Sequence, residues 1–263
     1  MDEESLFLLY ILGFMILILL FYICFILPTQ WLKLEMISVP LGLNKKILHL
    51  SDLHVEKLRI SPKKIETIIQ KEAPDFIVLT GDFMRRNRSI SLLEPYLTVV
   101  QKSNVPAYAI LGNHDYLVKP VTVCIDLLKK YDITVLRNEW LDLEQFVLIG
   151  LDQYHARSLH IDVNRAFENV PTDKPSIVMA HDPNIIKKLH QKFDLMLSGH
   201  LHGKQFNIPF FFHFIKKGPL AKEGIYKGLH HYNGHYLYIS KGIGQSGYNV
   251  RFGVRSEVSI LYV

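Results

Sequence analysis

Residues 47–54 read ILHLSDLH, an apolar run of strand length that passes directly into Asp52 and His54. Four later apolar runs also end in acidic, amide or imidazole side chains. Such runs, separated by helical patterns, are typical of buried strands in a layered α/β domain. The five runs are 47–51, 76–80, 107–111, 176–180 and 194–198, followed in order by Asp52 and His54, Asp82, Asn113 and His114, His181, and His200 and His202.

The rest of the chain continues this alternation of strands and helices. Runs at 146–150 and 236–240 predict two further strands, and the tail from 236 has little helical pattern, which predicts antiparallel strands. No repeat or low-complexity linker interrupts the alternation, so we expect one domain over residues 47–263. Apolar residues at helical spacing predict helices at 62–71, 91–103, 121–130 and 183–191.

The residues at the strand ends form a coherent set of metal ligands. In layered α/β folds, sites form beyond the carboxyl ends of the strands, so these side chains can converge. Carboxylate, imidazole and amide oxygen together suit Mn, Fe or Zn. An extended backbone in residues 52–54 and 200–202 would send both flanking side chains of each triplet to the same side. A single polar segment after a strand would be an ordinary turn, but five such segments, each at the end of a predicted strand, predict a metal centre.

This series of motifs, between residues 47 and 202, resembles the calcineurin-like metallophosphoesterase superfamily: Asp-x-His, Gly-Asp, Gly-Asn-His-Asp, His and Gly-His-x-His. Residues 240–244, SKGIG, and 251–253, RFG, resemble one branch of it, small bacterial membrane-associated enzymes related to UDP-diacylglucosamine hydrolases. The resemblance implies a four-layer αββα sandwich around two divalent metal ions. These ions are Mn, Fe or Zn, with Mn favoured.

The resemblance also implies a role for each residue at the strand ends. Asp82 would bridge the two metals, and a hydroxide shared by them would attack phosphorus. His114 would sit near the leaving oxygen as a general acid, or would stabilise charge there. The first metal would be held by Asp52, His54 and His202, and the second by Asn113, His181 and His200.

One segment departs from the pattern of the phosphoprotein phosphatase branch. In that branch Gly-Asp is followed by a further Asp and by an Arg that contacts phosphate. In this chain Arg85 replaces the acid, and Arg86 stands at the position of the Arg. Arg86 is therefore a candidate for substrate binding, with a solvated basic pair as the alternative. The acid that would orient His114 is missing, and its role either passes to Asp115 or is lost.

Residues 6–27 contain no charged side chain. A helix of this length is about 33 Å long, enough to cross a hydrocarbon core of about 30 Å. A buried core helix would carry polar side chains on one face, and a cleaved signal peptide would begin with basic residues and end in a small-residue cleavage site. We therefore expect a transmembrane anchor at 1–28 and a connector at 29–46.

The charges around this segment predict the orientation of the chain in the membrane. Lys33, Lys45 and Lys46 follow the apolar run, whereas only acidic residues precede it. The positive-inside rule then places the catalytic domain in the cytoplasm, on a single-pass protein of the cell membrane. The two cysteines, Cys24 and Cys124, offer no disulfide framework.

Together these patterns predict a membrane-anchored hydrolase of a phosphate ester or pyrophosphate. Six apolar side chains crowd residues 206–214, directly after the last ligand pair, and Lys216 and Lys217 follow them. This segment is either a buried hydrophobic insertion or a lip that meets lipid. With the branch resemblance, the lip favours a lipid-linked or nucleotide-linked substrate similar to UDP-diacylglucosamine.

Two other functions compete with this interpretation. One is a soluble nucleotide or cyclic-nucleotide phosphodiesterase, and the other is a metal-binding scaffold that has lost catalysis. The net charge of +5 does not choose between nucleic acid, phosphorylated substrates and an anionic membrane. No basic stripe with interleaved aromatic residues is present, so we expect no nucleic-acid partner.

Asp152, His155 and His160 follow the run at 146–150 but match no motif, and we expect them at the surface.

Overall fold

The computed structural model describes residues 2–153, 161–207 and 218–263 in full, and the backbone of 154–155 and 158–159. Within them the chain forms two six-stranded sheets and a small two-stranded one. The strands are β1 Lys33–Ser38, β2 Lys46–Leu50, β3 Phe76–Leu79, β4 Ala107–Ala109, β5 Ile133–Val135, β6 Glu139–Asp142, β7 Val147–Gly150, β8 Tyr154–His155, β9 Ser158–Leu159, β10 Ser176–Met179, β11 Leu195–Ser198, β12 Gly228–Tyr232, β13 His235–Ile239 and β14 Glu257–Tyr262. The α-helices are α1 Glu3–Phe21, α2 Leu27–Gln30, α3 Pro62–Glu72, α4 Ile90–Lys102, α5 Thr122–Lys130, α6 Val163–Ala166 and α7 Pro219–Lys222.

The two large sheets are mostly parallel. The first has the order β1-β14-β2-β3-β4-β5, and β2 to β5 run parallel to one another. The second has the order β12-β13-β11-β10-β7-β6, with a parallel centre from β13 to β7 and antiparallel strands at both edges. The tail supplies the predicted antiparallel strand, because β14 pairs antiparallel with β2. Parallel strands place their carboxyl ends at one edge, where the motifs lie.

The sheets pack face to face, with helices on both outer faces. Between the sheets, Ile47 and Val78 of the first meet Ile177 and Leu197 of the second. The other face of the first sheet packs against α3, α4 and α5. The other face of the second sheet packs against α6, α7 and the 3₁₀ turn Pro183–Lys188. This four-layer αββα arrangement confirms the predicted fold class.

The N-terminal apolar segment is one helix of 28 residues, Glu3–Gln30, with a π-helical stretch at Tyr22–Ile26. No side chain of α1 is buried. At 1.5 Å per residue the helix is about 42 Å long, longer than a hydrocarbon core of about 30 Å. Pro28 does not end it, because Pro28 lies in the first turn of α2, where a missing N–H needs no partner. The segment is thus long and apolar enough to cross a membrane.

The base of this helix is bonded to residues 245–256, which we call the helix-base loop. The N–H of Arg251 donates to the carbonyl of Phe25 at 3.0 Å. Thr29 is buried, and its Oγ1 accepts a hydrogen bond from Arg59 at 2.9 Å. The guanidinium of Arg255 lies over the Trp31 ring, 3.8 Å from its centroid. The helix is therefore fixed to the sandwich at its base.

Two segments differ from the sequence-based predictions. The connector at 29–46 contains β1, which pairs along its length with β14 of the first sheet; the domain boundaries themselves stay a prediction. The helix predicted at 183–191 is only the 3₁₀ turn Pro183–Lys188. There the Asp182 carboxylate caps the turn by accepting a hydrogen bond from the N–H of Asn184. The Asn184 side chain in turn accepts a hydrogen bond from the N–H of Leu220. These side-chain hydrogen bonds compete with continuation as an α-helix.

We expect the full chain to sediment with membranes and to resist extraction by alkaline carbonate. Leu12→Arg together with Leu17→Arg should shift it to the soluble fraction, because each arginine at mid-membrane costs about 2.5–3.5 kcal/mol. Both positions are exposed on α1 and touch no part of the sandwich core. The matched control is Leu12→Ile with Leu17→Ile, which should stay in the pellet. Equal fractionation of the two double variants would argue against a membrane span.

Candidate metal centre

The predicted residues meet at the edge formed by the carboxyl ends of β2, β3, β4, β10 and β11. Within the first sheet, the N–H of His54 donates to the carbonyl of Asp82 at 2.9 Å. Between the sheets, the N–H of His200 donates to the Asp52 carboxylate, 3.0 Å from Oδ2. Asp82 also accepts a hydrogen bond from the N–H of His114 at 2.8 Å. Four of the five segments are therefore joined through the two aspartates, and the carbonyl of His181 accepts a hydrogen bond from the N–H of Gly199 at 3.1 Å.

The first group of possible ligands is Asp52, His54 and His202, whose ligand atoms lie within 4.8 Å of one another. Nε2 of His54 is 3.3 Å from Nε2 of His202. Nε2 of His202 is 3.4 Å from Oδ1 of Asp52. All three side chains are buried. Two imidazoles and a carboxylate thus face one point.

The second group is Asp82, His181 and His200, also within 4.8 Å. Nε2 of His181 lies 3.3 Å from Oδ2 of Asp82 and 3.2 Å from Nδ1 of His200. Nδ1 of His181 donates to the carbonyl of Thr80 at 2.7 Å, which leaves Nε2 as the ligand atom. Oδ1 of Asn113 is buried and has no hydrogen-bond partner in the described part of the chain. A metal ion would satisfy that oxygen.

The spacing of these atoms fits metal ions. Two ligand atoms held about 2.0–2.1 Å from one metal at a tetrahedral angle lie roughly 3.3–3.4 Å apart. Four ligand pairs in the two groups are separated by 3.2–3.4 Å, and Nε2 of His54 is 3.9 Å from Oδ1 of Asp52. The nitrogen and oxygen atoms present suit Mn, Fe or Zn, and none of the residues in the two groups is a cysteine. The two groups can therefore hold divalent metals.

Asp82 belongs to both halves of the centre. Its Oδ2 is 3.4 Å from Nε2 of His54 in the first group and 3.3 Å from Nε2 of His181 in the second. Burial raises the pKa of the Asp82 carboxyl, but the imidazoles of His181, His54 and His114 lower it by more. The net effect is a pKa well below the ordinary value. Asp82 is therefore an ionised carboxylate placed between the two groups.

The backbone at the ligands is left-handed, which differs from the extended geometry predicted for Asp-x-His and His-x-His. Asp52, His54 and Asp82 have φ of 55°, 42° and 57°, and His200 and His202 have 69° and 50°. Residues other than glycine rarely adopt this region, and they do so mainly at functional sites. The side chains therefore converge through tight turns directly after the strands, not through alternation along an extended segment.

His114 lies beside both groups: its N–H donates to Asp82, and its imidazole forms a third group of possible ligands with His54 and Asp82. Its Nε2 is 3.9 Å from Oδ2 of Asp82, and its ring makes an edge contact with the ring of His54. Nδ1 of His114 is buried without a hydrogen-bond partner in the described residues. Burial lowers the pKa of His114 and Arg85 adds to this, whereas Asp82 opposes it. The imidazole is thus held by packing.

Asp115 does not orient His114. Its carboxylate is buried and accepts hydrogen bonds from the N–H groups of Asp82, Phe83 and Gly112, each at 2.8 Å. Burial and the charge of Asp82 raise the pKa of Asp115 to about 7. Asp115 therefore shapes the loop that carries Asp82, and the missing acid is not replaced by it.

Arg85 and Arg86 occupy different environments. Arg85 is near enough to His114 to lower its pKa, and its N–H donates to the Glu56 carboxylate at 2.7 Å. Arg86 is exposed and begins the 3₁₀ turn Asn87–Ser89. Of this predicted basic pair, the residue that acts electrostatically on the centre is thus Arg85. A role of Arg86 in substrate binding stays a prediction.

Gly199 leaves no room for a side chain, because a Cβ there would overlap Oγ of Ser51 and the Asp52 carboxylate. We expect Gly199→Ala to reduce stability by about 1–3 kcal/mol, the usual effect of overpacking, and to reduce metal content. Thermal denaturation with and without Mn²⁺ measures both effects. The control is Ser198→Ala, since Oγ of Ser198 is buried without a hydrogen-bond partner in the described residues. Equal melting temperatures for the two variants would contradict this prediction.

Asp152 was predicted at the surface and is buried, with 4% of its area exposed. Asp152 follows β7, as His181 follows the neighbouring parallel strand β10, so both residues lie at the same edge of the second sheet. Its partners are Arg137 and Tyr116. The signal available in the sequence was its place directly after an apolar strand, which is the criterion that identified the other residues. His155 and His160 lie outside the residues whose side chains are described.

Comparison with known proteins identifies the family. The model of the calcineurin-like phosphoesterase family matches residues 45–204. The chain is similar to the metallophosphoesterase YkoQ of Bacillus subtilis, with 37% identity over 250 residues, 88% of this chain and 90% of that protein. It is also similar to a transmembrane protein with metallophosphoesterase domain from Danio rerio, with 29% identity over 243 residues, 84% of this chain and 54% of that protein.

A solved structure supports the fold independently. Protein TT1561 of Thermus thermophilus matches with a TM-score of 0.52 at 12% identity, covering 76% of this chain and 90% of that one. The family match covers more than half of the chain and includes all the strand-end motifs. Side chains of these motifs form three overlapping groups of possible metal ligands at the sheet edge. The chain belongs to the calcineurin-like phosphoesterase family and is a metal-dependent phosphoester hydrolase.

Proposed function

We propose that this protein is a membrane-anchored, two-metal phosphoesterase that hydrolyses a phosphate ester or pyrophosphate of a lipid-linked or nucleotide-linked substrate. The observation that carries the proposal is the position of Asp82 Oδ2, 3.4 Å from His54 Nε2 and 3.3 Å from His181 Nε2. One carboxylate oxygen so placed suits two metals at once. When bound, two divalent ions neutralise charge on the phosphoryl group and supply the hydroxide nucleophile.

The residues divide between binding and proton transfer. Asp52, His54 and His202 would hold one ion, and Asn113, His181 and His200 the other, with Asp82 shared between them. We favour Mn among the metals that suit this set. His114 is not needed as a ligand, and its imidazole would donate a proton to the leaving oxygen. Arg86 would contact the phosphate, while Arg85 tunes the proton affinity of His114.

The helix-base loop supports a substrate at the membrane. The side-chain amide of Gln205, three residues after His202, donates to the carbonyls of Tyr248 and Val250 at 2.8 and 3.0 Å. On its other side, the loop accepts hydrogen bonds from Lys57 and Arg59, which follow His54. The loop that holds the helix base is therefore shared with the segments that carry the first ligand group. An active site next to the bilayer suits a substrate with a lipid tail.

The predicted apolar lip at 206–214 lies outside the described residues from 208 onward, so the lipid proposal rests on the helix-base loop and the branch resemblance. The cytoplasmic side of the membrane remains our proposal from Lys33, Lys45 and Lys46. Protease protection of sealed cells and of inverted vesicles tests it. Digestion of the catalytic domain in intact, wall-free cells would contradict the cytoplasmic placement.

Hydrolysis assays test the reaction and the substrate separately. Wild-type protein with Mn²⁺ should hydrolyse bis(4-nitrophenyl) phosphate, and chelation with EDTA should stop the reaction. In detergent micelles, a lipid-linked pyrophosphate should then be cleaved faster than a soluble nucleotide diester. Equal rates would favour the soluble nucleotide phosphodiesterase. A wild type that is inert with every divalent metal would favour the inactive scaffold.

A further inference from the structure

A second polar cluster borders the metal centre and plays no part in the roles proposed above. It consists of Tyr116, Arg137 and Asp152, which come from three separate loops. Nε of Arg137 donates to Oδ2 of Asp152 at 2.8 Å, and Nη2 of Arg137 donates to the Tyr116 hydroxyl at 3.1 Å. The Tyr116 hydroxyl in turn donates to the Asp152 carboxylate. Each member is bonded to both others.

The strand register places this cluster next to the second ligand group. Gly150 of β7 pairs with Met179 of β10, so Asp152, two residues further on, stands beside His181. Ala109 of β4 pairs with Val135 of β5, so Arg137 stands beside Leu111, two residues before Asn113. Neighbouring strands are about 4.8 Å apart. Asp152 is therefore about one strand spacing from His181, and Arg137 lies about one strand spacing from the segment that leads to Asn113.

Asp152 fixes the position of the Arg137 guanidinium. Its side chain is 2% exposed, while the side chain of Arg137 is 39% exposed. The N–H of Asp152 is itself fixed by the Asn138 side chain at 2.9 Å. A buried carboxylate that accepts from both Tyr116 and Arg137 orients the guanidinium, while the Arg137 side chain stays partly exposed.

Arg137 keeps hydrogen-bonding capacity for a ligand. Nε and Nη2 are used within the cluster, whereas Nη1 has no partner among the residues the structure describes. A guanidinium is a planar fork that matches the oxygens of a phosphate, and it stays charged at any physiological pH. A guanidinium oriented by a carboxylate on one side, with Nη1 available for a ligand on the other, is the arrangement expected of an anion-binding arginine.

We propose that Arg137, held by Asp152 and Tyr116, is a specificity residue that binds a second phosphate of the substrate, adjacent to the one attacked at the metals. The protein would then prefer a pyrophosphate diester to a single-phosphate ester. This inference rests on the proposed function, because it takes the two ligand groups as the reacting centre. Asp152 and Tyr116 act through Arg137 and are positioning residues.

The test compares two uridine substrates in the full-length, Mn-loaded protein. One is the 4-nitrophenyl ester of uridine 5′-monophosphate, with one phosphate, and the other is uridine 5′-diphosphate glucose, with two. Arg137→Gln should raise KM for the pyrophosphate about 10- to 100-fold, the effect of losing one charged hydrogen bond. KM for the monophosphate ester should change less than about threefold, within the range of a neutral surface change. Arg137→Lys should recover part of the pyrophosphate KM, because it keeps the charge without the fork.

Controls separate this role from general damage. Arg165→Gln, at an exposed position of α6, should leave both KM values unchanged. Asp152→Asn should raise KM for the pyrophosphate with little change for the monophosphate ester, as expected if it acts through Arg137. The inference is overturned if Arg137→Gln changes both KM values equally or neither, or if wild type cleaves only the monophosphate ester. Absence of metal-dependent cleavage of either substrate overturns the proposed function as well, so the two failures are distinguishable.

Discussion

Asp82→Asn should abolish metal-dependent hydrolysis and reduce the bound metal from two ions to one or none. Asp82 Oδ2 lies between the two ligand groups, at 3.4 Å from His54 and 3.3 Å from His181. An amide keeps the shape but loses the negative charge that two cations share. Outer-sphere partners of a metal already contribute about 10–100-fold to affinity or activity. Loss of a bridging ligand should therefore lower kcat/KM by more than about 100-fold.

Metal analysis by plasma mass spectrometry, beside the rate of aryl diester hydrolysis, measures both effects. The matched control is Asp126→Asn, an exposed aspartate on α5, which should keep wild-type activity and metal content. Because Asp82 also accepts the N–H of His114, circular dichroism should verify that Asp82→Asn is folded. A folded Asp82→Asn with two metals and normal turnover would refute the bridging assignment.

His114→Ala should have the second largest effect and a different signature. A positioned general acid contributes about 10²–10⁴-fold to turnover, so kcat should fall within that range. Metal content should stay at the wild-type level, because Nε2 of His114 is 3.9 Å from Oδ2 of Asp82, farther than Nε2 of His54 and of His181 at 3.4 and 3.3 Å. His114 does form a group of possible metal ligands with His54 and Asp82, so metal analysis is the deciding measurement. The fall should be smaller for a 4-nitrophenyl leaving group, which departs with little need for a proton, than for an alkyl leaving group.

His190→Ala is the matched control for this prediction, since His190 is exposed and belongs to none of the groups of possible metal ligands. It should leave kcat and metal content unchanged for both leaving groups. If His114→Ala loses a metal ion, His114 is a ligand and its proposed proton transfer is wrong. An equal loss of rate for aryl and alkyl esters would instead indicate charge stabilisation, the alternative role.

The fold class could be predicted because its signals are local. Each apolar run that predicted a strand forms one, within a residue or two at either end, and the helices at 62–71, 91–103 and 121–130 form where their apolar spacing indicated. The edge strand β1 was not predicted. Its side chains are mostly exposed or half-buried, so it lacks the continuous apolar pattern of the central strands. It exists because β14 offers a free edge.

The composition of the centre could be predicted, but its backbone could not. Residue type and position at a strand end identified Asp52, His54 and Asp82 as candidates. Their left-handed φ angles depend on hydrogen bonds between loops of different strands, such as the N–H of Asp52 to the carbonyl of Gly81. No pattern within a triplet encodes a contact with a loop about thirty residues away.

The same limit explains two carboxylates: the role of Asp115 was left open, and Asp152 was placed wrongly at the surface. Asp115 follows His114 directly and was a candidate to orient it, yet it bonds the backbone of the loop after β3. Asp152 matched no motif and was predicted at the surface, yet Arg137 and Tyr116 make its burial possible. A charged side chain can be buried when a partner satisfies it. Partners that lie 15 and 36 residues away are set by the packing of the two sheets.

The hydrogen bonds from Arg251 and Ser256 of the helix-base loop to the carbonyls of Phe25 and Thr29 would have a kinetic consequence for a protein in a bilayer. A flexible tether would let the catalytic domain sample a volume of the aqueous phase beside the membrane and meet any dissolved ester. A helix fixed at its base would instead hold the opening of the metal centre at a constant distance from the lipid headgroups. With the lipid-linked substrate proposed above, enzyme and substrate would then meet by lateral diffusion in two dimensions. Turnover would follow the mole fraction of substrate in the lipid surface, and dilution of the bulk solution would leave it unchanged.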